Sequence, residues 1–188
     1  MTVVSLPGVY RLTYREWLGF PDDGRLYELL GGDLLVSPPP SVRHQRISRE
    51  IQVRLIRHLE AGQRGEVFNA PLGVRLTDED VVEPDLAVVL AEHASRVGEQ
   101  AIDGAPDLVV EILSPGSARR DLGTKRDAYQ RAGVAEYWIV DPESEAVEVL
   151  ALVGGAFERH GLFRSKDALS SRLLPDLAID LGAVFHRS

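Results

Sequence analysis

The sequence predicts an α/β chain of the α+β kind, with one mixed central β-sheet flanked by helices, in a single domain over residues 1–188. Three observations predict it. Leu86–Leu90 and Asp107–Leu113 are short apolar runs rich in β-branched residues and flanked by proline, as strands buried on both faces are. Residues 41–60 and 118–132 carry the longer periodicity of amphipathic helices. Glycine pairs and an Asp-Pro step separate the remaining short apolar segments as turns. This order of elements is that of helices layered on a sheet, and no repeat, low-complexity tract or linker divides the chain.

Along the chain, Thr13 and Glu16 have capping-box spacing and open a short helix carrying Trp17 and Leu18. Tyr27–Leu30 and Asp33–Val36 flank Gly31-Gly32 as a β-hairpin, and Pro38-Pro39-Pro40 stops any strand. Ser41 caps a helix running to about Glu60, with Gly62 just beyond its end. At ~100° per residue, Ile47, Ile51, Leu55 and Leu59 line one side of it, while Arg43, Arg46, Arg54 and Arg57 gather within roughly 80° on another. His44 falls inside the apolar arc and therefore points inward. Short strands near Glu66–Asn69 and Gly73–Leu76 precede a turn at Asp78-Glu79-Asp80. Ser114-Pro115-Gly116-Ser117 is a loop, and the helix from Ala118 to Ala132 ends at Gly133. Glu136–Val140 reads as a strand, Val147–Leu152 with Ala156–His160 as a hairpin around Gly154-Gly155, and Asp180–Phe185 as weakly helical.

Composition narrows the function. Hydrophobic residues at 44% and charged residues at 27% are those of an ordinary soluble globular domain, and no apolar run approaches the ~20 residues of a membrane-spanning helix. The first residues lack the basic-then-apolar pattern of a signal peptide. The absence of cysteine excludes disulfides, thiolate metal sites and cysteine nucleophiles, and suits a reducing cytoplasm. A net charge of −8 argues against a dedicated, tightly gripping nucleic-acid binder, so contact with DNA requires a local basic face.

Two acids stand where buried strands do not choose them. Asp85 opens an apolar run, and Glu111 interrupts Leu108-Val109-Val110 and Ile112-Leu113. A carboxylate there is costly unless something positive meets it. A hard divalent cation with oxygen ligands is one such partner; an ion pair with a buried arginine or lysine, or a strand-end cap, is the other reading. Asp121, Lys125 and Tyr129 recur at steps of four and share a helix face. Lys125 can reach back over the end of the preceding strand, or it forms a surface pair with Asp121 worth a few tenths of a kcal/mol.

Pro106-Asp107-Leu108-Val109-Val110-Glu111-Ile112-Leu113-Ser114-Pro115, followed by Asp121, Lys125, Tyr129 and the run Gly133 to Pro142, resembles the Uma-type restriction endonuclease family within the PD-(D/E)XK nuclease superfamily. Tyr27 to Gly32, Ser37-Pro38-Pro39, His44-Gln45 and Glu83-Pro84-Asp85-Leu86 fit the same pattern. The resemblance implies a restriction-endonuclease-like fold whose sheet presents Asp85 and Glu111, with the Ile112 carbonyl, to Mg²⁺ or Mn²⁺. It implies a catalytic lysine as well. The superfamily pattern places that lysine at position 113, occupied here by leucine, so Lys125 on the following helix takes the part. Glu28 and His44 match residues that recur near the same cleft; otherwise Glu28 is a strand residue facing solvent or an arginine, and His44 a hydrogen-bonded core histidine.

The expected activity is hydrolysis of DNA phosphodiester bonds, with Arg43, Arg46, Arg54, Arg57, Arg119 and Arg120 as backbone contacts, or as solvated helix faces. A homodimer through the 154–155 hairpin and the Glu136–Val140 strand is expected to pair two sites. Two other functions fit the same residues: a catalytically silent binding module on the nuclease fold, and a metal hydrolase of small phosphoesters.

Overall fold

The computed structural model describes residues 2–4, 10–60, 62–114 and 118–186. In chain order its elements are β1 (Thr2–Val4), α1 (Tyr14–Trp17), β2 (Leu26–Leu30), β3 (Asp33–Ser37), α2 (Val42–Glu60), β4 (Gly65–Asn69), β5 (Gly73–Arg75), β6 (Val81–Val82) and β7 (Leu86–Leu90). A 3₁₀ helix (Ala91–Arg96) leads to β8 (Ala101–Asp103), β9 (Leu108–Ile112), α3 (Ala118–Ala132), β10 (Glu136–Asp141), β11 (Ala146–Val153), β12 (Ala156–Arg164), β13 (Ala168–Ser170), β14 (Ala178–Asp180) and α4 (Leu181–Phe185). No described helix is long and apolar enough to cross a membrane.

The two apolar runs are neighbours. β7 and β9 pair antiparallel in a sheet ordered β12-β11-β10-β9-β7-β4, where β9 and β10 run parallel and the other pairs antiparallel. Their central position explains why their residues are apolar on both faces. The remaining long sheet departs from the single sheet expected above. β1-β3-β2-β6-β5-β8 forms a second six-stranded sheet, and β13-β14 a two-stranded ribbon. The strands at 26–37 and 73–82 extend this second sheet, not the one that contains β7 and β9.

Two apolar layers result. Ile47, Ile51, Leu55 and Leu59 of α2 lie on one face of the β9 sheet with Val88, Val110, Trp138 and α4. On the opposite face, Ala87, Val89, Val109 and Tyr137 pack with Ala128 and Tyr129 of α3 and with Leu30, Leu35, Val74 and Val82 of the second sheet. Strand alternation thus hands α2 one set of side chains and α3 the other.

Local chemistry sets the elements that carry the site. Ser41 Oγ accepts from His44 N at 3.2 Å at the start of α2. Glu136, fully buried at the head of β10, accepts from Trp138 Nε1 (2.6 Å), Arg172 N (2.8 Å) and Leu173 N (2.9 Å), tying the C-terminal segment to the sheet. The β2–β3 hairpin turns on Gly31 (φ 57°) and Gly32 (φ 78°), with Leu30 opposite Asp33, a two-residue turn with left-handed φ at both central positions. A Cβ at Gly32 would lie 2.4 Å from that of Arg11. Gly32→Ala is therefore expected to cost at least about 1–2 kcal/mol of stability, the left-handed penalty alone, as read by urea denaturation.

Candidate active site

Asp85 immediately precedes β7, and Glu111 is the penultimate residue of β9. Leu86 pairs with Val110, so one more step of that antiparallel register sets Asp85 opposite Glu111 with both Cβ atoms leaving the same face. The carboxylates then take different partners. Asp85 Oδ2 accepts from the backbone N–H of Ile112 at 2.7 Å and meets His44 Nε2 at 3.2 Å. Glu111 Oε1 accepts from Lys125 Nζ at 2.9 Å and from the Tyr129 hydroxyl at 2.7 Å. No described group hydrogen-bonds to Asp85 Oδ1 or Glu111 Oε2.

Glu28 comes from the other sheet. Its side chain is buried, and its Oε1 meets Lys125 Nζ at 2.7 Å while accepting from Glu83 N at 2.8 Å. Lys125 is 6% exposed and braces two carboxylates across the layer between the sheets. It is no surface residue, and the Asp121 side chain lies outside the described ones. Glu28 does not face solvent and, among the described residues, meets no arginine. His44, its side chain 12% exposed, is the inward-pointing histidine expected, and its partner is Asp85. Its Nδ1 is buried without a partner among the described residues.

Among the described residues, charge does not balance at this spot. Glu28, Glu83, Glu111 and Asp85 surround one ammonium and one imidazole. Burial pushes Glu111 up to about 7; Lys125 and Tyr129 oppose the rise, while the charges of Glu28 and Asp85 add to it. Glu83 is likewise raised to about 7, chiefly by burial. Burial alone would lower Lys125, but the charges of Glu111 and Glu28 outweigh it and hold the ammonium above its ordinary range, so it stays charged. Burial also works against the His44 imidazolium; the hydrogen bond and charge of Asp85, with a backbone contact to Ile112 and the Glu111 charge, raise it overall. Tyr129 and Tyr137 are raised well above a normal phenol, by burial first and the Glu111 charge next.

These acids fit a divalent cation. Among the described residues no three His, Asp or Glu groups converge as a complete ligand cage. Two carboxylates with one unengaged oxygen each, beside the Ile112 backbone, match the sparse ligation of Mg²⁺, which keeps several of its waters. The excess of buried negative charge gives such an ion its driving force.

The sequence did not assign a role to Tyr129, although its spacing from Lys125 put it on the same helix face; it fixes Glu111. Tyr137, whose ring lies 5.2 Å from that of Tyr129, gave no signal beyond an aromatic residue in a strand. The arginine row is partly spoken for. Arg54 pairs with Glu50 at 2.7 Å, and Arg43 donates to the Pro142 carbonyl at 2.7 Å. Arg46 and Arg57 are exposed and form no ion pair among the described residues. The side chains of Arg119 and Arg120 lie outside the described ones, as does the loop at 115–117.

The fold has a solved counterpart. A crystal structure described as "a putative nuclease belonging to DUF820 from Anabaena variabilis ATCC 29413" superposes with a TM-score of 0.77 over 93% of this chain and 97% of that one, at 22% identity. A Roseiflexus castenholzii protein named acetyl-coenzyme A carboxylase carboxyl transferase subunit beta 1 is 32% identical over 120 residues. That match takes in 61% of this chain and 40% of the relative, so this chain spans less than half of that protein. A family model described as "Uma2: Putative restriction endonuclease" matches residues 12–182, nearly the whole length, and the chain therefore belongs to this Uma2 family of nuclease type.

Proposed function

We propose that the protein is a divalent-metal-dependent endonuclease that hydrolyses DNA phosphodiester bonds. The observation that carries this reading is the surplus of buried carboxylate around Lys125, at the ends of two central strands that otherwise hold only apolar side chains. Asp85, Glu111 and the Ile112 carbonyl would hold Mg²⁺ or Mn²⁺. A cation bound there supplies Lewis acidity toward a phosphate oxygen and lowers the pKa of a coordinated water.

The rest falls to the chain's own side chains. Lys125 has three N–H bonds; Glu28 and Glu111 take two, leaving one for a water or a phosphate oxygen. Tyr129 and Lys125 together saturate Glu111 Oε1, which turns Oε2 toward any ligand. Glu28 holds the ammonium in register from the opposite sheet, and preorganisation of this kind stabilises charge that develops on phosphorus.

The test is cleavage of plasmid DNA, single-stranded DNA and a nucleotide ester, each with EDTA and with added Mg²⁺ or Mn²⁺. Activity on DNA is expected with metal and none with chelator. Turnover of the ester alone would indicate a small-phosphoester hydrolase, and strand binding without turnover a silent binding module.

The proposal includes a homodimer. The Glu136–Val140 strand, expected to share the interface, is flanked on both sides by β9 and β11 and offers no edge. β12 ends its sheet, so one of its edges has no β partner within that sheet, and Leu162 on it is 46% exposed. A dimer would pair two sites for double-strand cutting. Sedimentation showing only monomer at micromolar concentration would remove this part.

A further inference from the structure

A groove of about 630 Å³ opens beside the site, between the first turns of α2 and the end of β4. Asp85 and His44 line it at the site, and Arg46, Arg49, Gln52 and Asn69 line it farther out. We infer that this groove seats one unpaired strand of DNA, its backbone held by Arg46 and Arg49. The inference rests on the nuclease reading above and names the form of substrate that the same site takes.

Volume, charge and lining support it. A groove of this size encloses a ligand of about drug size. It takes a nucleotide or two of a flexible single strand, whose backbone can dip to the side chains of Asp85 and His44, each only 12% exposed at its inner end. Arg46 and Arg49 stand at i and i+3, neighbours on the helix surface, so they can hold successive phosphates along one strand. Arg46 has no acidic partner among the described residues. Arg49 lies 3.5 Å from Glu50, whose closer partner is Arg54 at 2.7 Å. In a chain of net charge −8, an unneutralised arginine on the groove that leads to the reacting groups steers a polyanion to that place. Gln52 and Asn69 hydrogen-bond to each other at 3.0 Å and present a polar wall. No phenyl, phenol or indole ring lines the groove, so the stacking platform of general single-strand binders is missing. Grip on the backbone with little preference for base follows.

Fluorescence anisotropy in EDTA, with a short labelled single strand and its blunt duplex, tests this without turnover. The wild type is expected to bind the single strand more tightly than the duplex. Arg46→Ala/Arg49→Ala is expected to weaken single-strand binding at least about tenfold, the scale of charge-assisted hydrogen bonds. The slope of log affinity against log salt should fall by about 1.4, or ~0.7 for each lost phosphate contact on a single strand. An unchanged slope in the double variant, or a wild type that prefers duplex, would overturn the inference. Cleavage by the wild type with Mg²⁺ is scored separately. Cleavage with unaltered binding in the double variant removes the groove and keeps the nuclease. Arginine-dependent strand binding without cleavage keeps the groove and removes the nuclease.

Discussion

Lys125→Ala is expected to abolish DNA cleavage and to lower the free energy of unfolding by about 3–5 kcal/mol, the usual cost of removing one partner from a buried ion pair. The reason lies in what the alanine leaves behind. Glu28 and Glu111 would face each other across the layer between the sheets, both buried, with no ammonium between them. Affinity for Mn²⁺, measured by titration calorimetry, should not fall, because the loss of a cation beside Glu111 removes a competitor for its charge. A companion variant separates stability from chemistry. Lys125→Met with Glu28→Gln takes away one positive and one negative charge together, and should regain most of the lost stability with no return of cleavage. Wild-type cleavage by Lys125→Ala would reduce the lysine to a brace.

Asp85→Ala is expected to lose cation binding and cleavage together. Residues that only support a metal ligand typically contribute 10- to 100-fold, so a direct ligand should exceed about 100-fold in rate. Asp85→Asn is the sharper form. Its amide oxygen can still accept from Ile112 N, which preserves the strand end, while the charge that attracts a cation is gone. Undiminished Mn²⁺ affinity in the Asp85→Asn variant would remove Asp85 from the ligand set.

Much of this was legible in the sequence. α2 begins at the Ser41 cap, both long helices end at or near a glycine, and the acids that open or interrupt apolar runs meet in the candidate site. The two-residue alternation of β9 puts Glu111 on the face of Val109, which α3 covers. The pattern fails on assembly. Alternation tells which face a side chain takes, but not which sheet its strand joins, and Val81–Val82 is too short to show any period. The pairing of β5 with β8 is parallel and remote, so no turn signals it. The status of Lys125 was hidden for the same reason. Its spacing from Asp121 is that of any surface pair, and the partners that bury it are Glu28 and Glu111, on strands of different sheets. Glu136 read as the first residue of a strand, because the amides it accepts from, Arg172 and Leu173, are close to it only in space.

The brace between the sheets also bears on the order in which the protein matures. Lys125 sits in the later half of the chain and one of its two carboxylate partners, Glu28, in the second sheet, so that contact forms only when layers made from distant segments dock. Contacts of such long sequence separation carry the largest loop-closure cost and tend to form late in folding. The N-terminal sheet emerges first during synthesis and contains Glu28 without its cation. A partly folded chain therefore holds the carboxylates without the geometry that arms them. Acquisition of nuclease activity during refolding should lag behind the formation of secondary structure and coincide with the final docking of the two sheets.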